Sequence, residues 1–551
     1  MQYPGMTKLN AGTLILELRA DLRLGLAFDQ PDRLAAFTAW CVTSGALEYG
    51  LLTEDEAFRQ HLALASTCDG ITSLQHWVLR GRPDVVAAFA LPQQLQQFLQ
   101  WFYTHGVNEH KLWQWLTPVE RVHALGQPSP WADRAAVQAA DYAQTLVPTP
   151  SVQQRPWGVN LVGYAFGQLG IGEDARMAAQ ALLAAGVPMT MLNFPPGADI
   201  GQNDTSMADH VTRDGPFALN LFCLTALENG RFYAERGRKQ FAGRYNIGYW
   251  PWELSQWPAQ WEALVNLVDE VWVSTQHTLD ALAPVVAAMA HPVPVRLMPM
   301  AVELGPVAHA GLSRLAVRQQ FALPKRARLF CYSFDLNSSI HRKNPQAAVD
   351  AFLMAFTATE WGPEQVGLVI KVHRPAKRNS AWERLKALAA KDARIHIVEE
   401  TMPRPELLAL YQACDCFVSL HRAEGFGRGI AEALQLGLHV ITTGYSGNVD
   451  FCQLPQFAQQ VDLVRFRMVK VKEGQYPYGQ GQVWANADVG HAASLMRAFV
   501  DRFGSGKRSG PIHSVPKAGW PVFSAAQVGR RYRERLAQVW GEFGGKLLLK
   551  E

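Results

Sequence analysis

The chain has 551 residues, a formal net charge of +4, 48% hydrophobic residues and 18% charged ones. That length exceeds a single core and implies two to four domains, while so weak a charge leaves no electrostatic footprint for nucleic acid. No stretch approaches the roughly 20 apolar residues of a membrane span, and Glu17, Arg19, Asp21 and Arg23 interrupt the apolar N-terminal section, so it does not read as a secretory signal. Seven cysteines without a Cys-x-x-Cys pair read as reduced thiols and provide no zinc site. The expected compartment is the cytoplasm.

Residues 1–150 read as wholly helical, rich in Leu, Ala, Gln and Trp at helical spacing. They hold a duplication. Phe37, Trp40, Gly45 and Glu48 recur as Phe98, Trp101, Gly106 and Glu109, all 61 residues on, and Pro31 and Leu34 map onto Pro92 and Leu95. Phe and Trp at i and i+3 share a helix face, and the glycine suits the helix end. Nothing here is catalytic by type or spacing. The region is expected to be a packing or partner module that recruits an acceptor, a protein, a second copy of the chain or the inner face of a membrane. The proline-bearing stretch 144–156 reads as a linker.

From Trp157 the pattern changes to alternating strands and helices. Strands are expected at Val159–Val162, Leu219–Leu224, Tyr245–Tyr249 and Glu270–Ser274, with a helix over Glu173–Ala185. A second series follows, with strands at Leu329–Phe334, Gly367–Val372, Ile395–Val398, Cys416–Leu420 and His439–Thr442. Two consecutive α/β series predict two Rossmann-like parallel-sheet domains facing one another across a cleft. The expected boundaries are 1–150 for the all-α region, 156–310 for the first α/β domain and 311–523 for the second, with the C-terminal helix 524–551 joining the first.

Five segments carry chemistry. The run Gly163 to Gly172, with Gly167 and Gly170 between, follows a strand and precedes a helix, the context of a phosphate loop. Its glycines do not follow the Gly-x-Gly-x-x-Gly order of nicotinamide binding. Arg244 to Leu254 is the densest aromatic segment, and Tyr249, Trp250 and Trp252 are expected to stack on a sugar, with Glu253 beside them. Arg342 and Lys343 precede Pro345 and an apolar helix, which predicts an anion site at that helix N-terminus. Lys371 interrupts an apolar strand, and a buried ammonium needs an anion. Finally, Glu424-Gly-Phe-Gly-Arg-Gly-Ile-Ala-Glu432 sets two carboxylates around a glycine turn between the strand at Cys416 and a short helix over Ala433–Gly437. Such a turn presents backbone N–H groups to a phosphate.

With these segments assembled, residues 157–540 resemble the retaining GT-B glycosyltransferases of family 4 (group 1 type). The resemblance rests on Glu424-(x7)-Glu432, on Arg342-Lys343-Asn344-Pro345, on Gly248 to Leu254 followed by Val268 to Ser274, and on the glycine loop. It implies transfer of a hexose from a GDP- or UDP-linked donor to a hydroxyl of a glycan or lipid-linked saccharide, in polysaccharide biosynthesis. It also implies that Glu432 takes the donor ribose and Glu424 the transferred sugar. The backbone of Gly425, Phe426, Gly427 and Arg428 then meets the diphosphate with Gly170 and Gly172. Lys343 contacts the diphosphate, and Lys343, Glu424 and Glu253 are the catalytic candidates. The arginine usual six residues before that lysine is Asn337 here, which leaves Arg342 or Lys371 to compensate. No Asp-x-Asp motif occurs, so neither metal nor cofactor is expected. Two other readings remain open: a nucleotide-sugar or glycan-binding scaffold, and phosphorolysis or epimerisation on the same fold.

Overall fold

A computed structural model describes residues 11–19, 21–22, 31–66, 70–145, 149–197, 200–305, 313–373, 379–504, 511–517 and 519–542, without side chains at 31–34, 144 and 145. Arg23, Cys68 and the side chains of Pro31 and Leu34 lie outside them. The described residues fall into two compact units. One combines residues of 1–155 with 226–246 and 263–267; the other combines 156–225, 247–262 and residues of 268–551.

The second unit holds two parallel sheets, except for Tyr245 and Asn246 of the first, which fall in the other unit. The first runs through β1 (Val159–Gly163), β2 (Met189–Asn193), β3 (Val211–Thr212), β4 (Leu219–Cys223), β5 (Tyr245–Tyr249), β6 (Glu270–Val273) and β7 (Val295–Leu297), in the order β3-β2-β1-β4-β5-β6-β7. The second runs through β8 (Arg328–Asp335), β9 (Val366–His373), β10 (Ile395–Glu399), β11 (Cys416–Ser419), β12 (His439–Thr443) and β13 (Val461–Val464), in the order β10-β9-β8-β11-β12-β13. Strands β1, β4, β5, β6, β11 and β12 are buried along their whole length, so they read as mainly apolar rather than cleanly alternating, with buried polar residues such as Asn160, Asn220, Asn246 and Glu270 among them. Each order reverses once, between β1 and β4 and between β8 and β11. Those reversals open crevices beyond the carboxyl ends of the strands. This is the GT-B architecture.

An antiparallel hairpin, β14 (Phe466–Lys470) and β15 (Val483–Ala487), stands apart from both sheets. The helix Ala525–Glu542 returns to the first sheet and packs along the helix Gly170–Ala184. Tyr532 Oη there donates to Pro299 O at 2.9 Å, and Arg535 Nε to Glu270 at 3.0 Å. The two helices touch backbone to backbone at Gly529, where an added Cβ would lie 1.9 Å from Ala181 O. Gly529→Ala is therefore expected to cost about 1–3 kcal/mol of stability through overpacking, read as a lowered unfolding midpoint.

In the other unit the duplication is structural. Helices Pro31–Trp40 and Leu95–Trp101 each run into a π-helical turn, Cys41–Gly45 and Phe102–Gly106, and then a short α turn ending on Glu48 and Glu109. In each turn a threonine bonds back to the chain: Thr43 Oγ donates to Ala39 O at 2.9 Å and Thr104 Oγ to Gln100 O at 2.7 Å. An arginine covers each tryptophan, Arg19 at 5.5 Å from the Trp40 ring and Arg82 at 5.8 Å from that of Trp101. Each is gripped by two acids, Asp21 and Glu48 in one copy and Asp84 and Glu109 in the other. The repeated tryptophans thus serve a structural cation–π motif. Among the described residues no helix is long and apolar enough to cross a membrane.

Candidate active site

A pocket of about 420 Å³ opens where the loops after β1, β5, β6, β8 and β11 converge. Each loop leaves the carboxyl end of its strand, so both switch points feed one space.

Glu424 stands at its centre, on the turn that follows β11. The turn is held rigidly: Glu424 N donates to Ser446 Oγ at 2.8 Å, Gly447 N to Glu424 O at 2.9 Å, and Thr275 Oγ to Gly425 O at 2.7 Å. Glycine at 447 is obligatory, since a Cβ there would lie 2.0 Å from Gly425 O. The Glu424 carboxylate meets Lys343 Nζ at 2.5 Å and Arg342 Nη1 at 3.2 Å. Burial opposes its charge, but the two cations prevail and bring it down to about 2. It is ionised, so it can accept hydrogen bonds but does not donate a proton.

The two cations precede the Pro345 helix as expected, but on a helical turn of their own. Ile340–Lys343 forms its own helical turn, ended by Asn344 in a left-handed conformation (φ 51°) before Pro345 opens the next helix. Arg342 and Lys343 therefore lie at the carbonyl end of one turn and, as expected, directly before the N-terminus of the Pro345–Ala355 helix. Arg342 is fully committed: Nη1 donates to Ala423 O at 2.8 Å, Nε to Ser338 O at 3.3 Å, and Nη2 faces Glu253 at 3.6 Å. Lys343 is anchored through its backbone, whose carbonyl accepts from Tyr332 Oη at 2.6 Å.

Glu253 lines the pocket from the loop after β5, and Tyr476 Oη, from the hairpin loop, donates to its Oε2 at 2.7 Å. The aromatic segment splits by alternation. Pro251 and Glu253 face the pocket, while Trp250 and Trp252 turn into a cluster with Trp257 and Trp261. Trp252 also spends its Nε1–H on Gln256 O at 2.7 Å. Tyr249 is buried, with its hydroxyl donating to Pro299 O at 3.1 Å. These three rings are packing residues, not sugar platforms on the 420 Å³ pocket. Tyr249 and Trp250 border only a small adjoining recess.

Other expected residues also sit elsewhere. Gly170 lines the pocket, but Gly172 is structural: a Cβ there would lie 2.4 Å from Gly167 O. Lys371 is buried on β9 and is not a lining residue; burial lowers its proton affinity, and Asp335 and Glu400 offset part of that. Gly425, Phe426, Gly427 and Arg428 all line the pocket, and Gly427 (φ 93°) caps the helix Arg428–Gln435. Glu432 lies one turn further along and outside the lining. Its Oε1 pairs with Arg404 at 2.7 Å, and Arg404 in turn holds Glu173 at 2.9 Å.

Sequence reasoning missed Asp174, Arg404, His421 and Tyr476. His421 is buried beneath Glu424, between Ser419 Oγ at 3.0 Å and Asn448 Oδ1 at 3.1 Å, and burial brings it to about 4, so it is neutral. Its place two residues beyond the β11 apolar run was the available signal. Asp174 directly follows the glycine loop, and its position there could have marked it.

Residues 366–453 match the family model described as glycosyl transferases group 1, a segment that spans β9 to β12 and the Glu424–Glu432 turn. A comparison with curated protein sequences finds no match. Among solved structures, the chain is similar to a sucrose-phosphate synthase from Thermosynechococcus elongatus (15% identity, 71% of this chain and 98% of that one, TM-score 0.44). It is similar also to HepE of Anabaena in complex with UDP and glucose (12%, 71% and 98%, TM-score 0.43). A third is a glycosyltransferase from Rickettsia africae (11%, 69% and 93%, TM-score 0.44).

Proposed function

We propose that the chain is a glycosyltransferase that moves a hexose from a GDP- or UDP-linked donor to a hydroxyl of a glycan or lipid-linked saccharide, with retention of configuration, in polysaccharide biosynthesis. The observation that carries the reading is the convergence, in one pocket, of the Lys343–Glu424 pair with the Gly427-capped helix N-terminus. The group 1 family match over the segment containing that turn supports it.

In this reading the diphosphate lies between Lys343 and the N-terminus of the 428–435 helix, whose first N–H groups have no intrahelical acceptor. Glu424 accepts hydroxyls of the transferred hexose. Glu432, oriented by Arg404, accepts ribose hydroxyls on its other oxygen. The bond between the anomeric carbon and the diphosphate oxygen breaks with both electrons leaving on that oxygen. The acceptor oxygen then bonds to the anomeric carbon from the same face, and its proton passes to the departing phosphate. Fixed cations and the helix N-terminus stabilise the developing charge without reorganisation. We place no divalent metal in this step, and activity undiminished by EDTA is the expected result. Glu253, held by Tyr476, is the carboxylate on the acceptor side.

The test is thermal unfolding against a panel of nucleotides and nucleotide sugars. A ligand at 100 times its Kd adds about 2.7 kcal/mol, roughly 3–4 °C for a unit of this size. A panel in which no nucleoside diphosphate or its sugar raises the midpoint refutes the proposal. Release of nucleoside diphosphate from a stabilising donor separates an enzyme from a binding scaffold.

A further inference from the structure

Arg342, Lys343 and Arg428 are the basic residues lining the pocket among those described, and they differ in how far their donors are used. Arg342 is saturated by two carbonyls and two carboxylates. Lys343 sits on Glu424. Arg428, the first residue of its helix, is held only by Asp174 and a thioether. Its Nε donates to Asp174 Oδ1 at 3.1 Å, Nη2 reaches the same oxygen, and Nη2 lies 3.0 Å from Met300 Sδ. A thioether is a weak acceptor. Nη1 is buried and has no hydrogen-bond partner. A buried guanidinium N–H without an acceptor is costly, and an anion in the pocket would relieve it.

Asp174 approaches from the first sheet, in the first turns of the 170–184 helix, and it too lines the pocket. It is a carboxylate facing the space that a diphosphate would enter. Burial raises it from its ordinary value, with Arg428 pulling the other way. A single guanidinium thus stands between a resident carboxylate and an incoming phosphate, and a planar fork can serve either one.

We propose that the side chain of Arg428 is a phosphate ligand of the donor, and that Asp174 is its counter-ion in the empty pocket, so that Asp174 and the diphosphate compete for it. This rests on the donor reading above and adds a side-chain ligand that the Glu424–Glu432 turn does not by itself supply. The exchange releases the 428–435 helix from the 170–184 helix, so donor binding loosens one tie between the loops of the two sheets. No bond is made or broken in it.

Calorimetric titration of the full chain with UDP, GDP and inorganic pyrophosphate tests this. Arg428→Ala should weaken binding at least tenfold, and Arg428→Lys should weaken it less. Asp174→Asn should tighten binding about three- to tenfold, because the competitor is gone. In Arg428→Ala, adding Asp174→Asn should bring no gain; this double variant also removes the stranded carboxylate, and so remains informative if the single variant unfolds. Binding within twofold of wild type in the Arg428 variants, or weaker binding in Asp174→Asn, overturns the proposal while leaving the donor reading intact. Failure of the unaltered chain to bind any of the three probes overturns both.

Discussion

Lys343→Ala and Glu424→Gln are each expected to lower turnover at least tenfold while the fold survives. In Lys343→Ala the carboxylate of Glu424 keeps Arg342 at 3.2 Å, so no buried charge is stranded. What is lost is the cation that, in the proposed reaction, faces the developing charge of the diphosphate. In Glu424→Gln an ionised acceptor becomes a neutral amide, and hydroxyls of the sugar lose a charge-assisted bond. Such bonds contribute about 1.5–3 kcal/mol, and each 1.36 kcal/mol is tenfold in rate. Circular dichroism and the unfolding midpoint verify the fold, and turnover is followed as nucleoside diphosphate release. Normal turnover in both variants rejects the site. The pH dependence has a definite sign. Glu424 is depressed to about 2, so its stabilising contribution is complete above the unfolded value near 4.3. That contribution fades as pH falls from there toward 2. An acid limb in activity between pH 5 and 7 would therefore come from another group.

Much of this architecture is legible in the residues. Buried parallel strands such as β4 and β11 announce themselves as apolar runs, and glycine turns after them mark the switch-point loops. The hairpin β14–β15 was not legible, because β14 is mostly exposed and Phe466 and Met468 point outward, leaving neither a core run nor a buried alternation. The 428–435 helix begins at Arg428, five residues before the expected Ala433, for a local reason. Gly429 is a poor helix former and the β-branched Ile430 a middling one, and the left-handed Gly427 and the packing of Gly429 on Phe417 begin the helix there. In the site, carboxylates could be found but not their partners. Lys343 lies 81 residues from Glu424, and Asp174 lies 254 residues from Arg428. No local pattern encodes such distances. The aromatic segment had the opposite fault: Trp250 and Trp252 look like sugar platforms in sequence, yet alternation along the loop sends them into the core and leaves Glu253 outside.

The largest expected effect on stability lies at the other end of the second sheet, at Asp415. This carboxylate is buried between the helix Arg404–Ala413 and β11, and it binds Arg314 at 2.9 Å, Arg318 at 3.0 Å and Arg328 at 2.9 Å. It also accepts from Leu329 N at 2.9 Å. Arg318 Nε and Arg314 Nη2 further cap Ala413 O, the carbonyl end of that helix, where a cation is favourable. Burial works against the ionised form of Asp415, and the three arginines overcome it and hold the carboxyl below its ordinary value. Its stabilisation is then present above the unfolded value near 3.9 and is lost as pH falls through the lower folded value. Asp415→Asn removes the carboxylate that these three guanidinium groups share. Breaking such a buried network from one side costs about 3–5 kcal/mol, or roughly 4–6 °C in midpoint for the unit that holds it. Because the amino ends of β8 and β11 lie opposite the pocket, nucleotide affinity measured well below the midpoint should be unchanged. A variant with the wild-type midpoint refutes the structural assignment. A variant with weakened nucleotide binding at low temperature would show that the pocket and the base of the sheet are coupled, contrary to what the separation of the two ends of β8 and β11 implies.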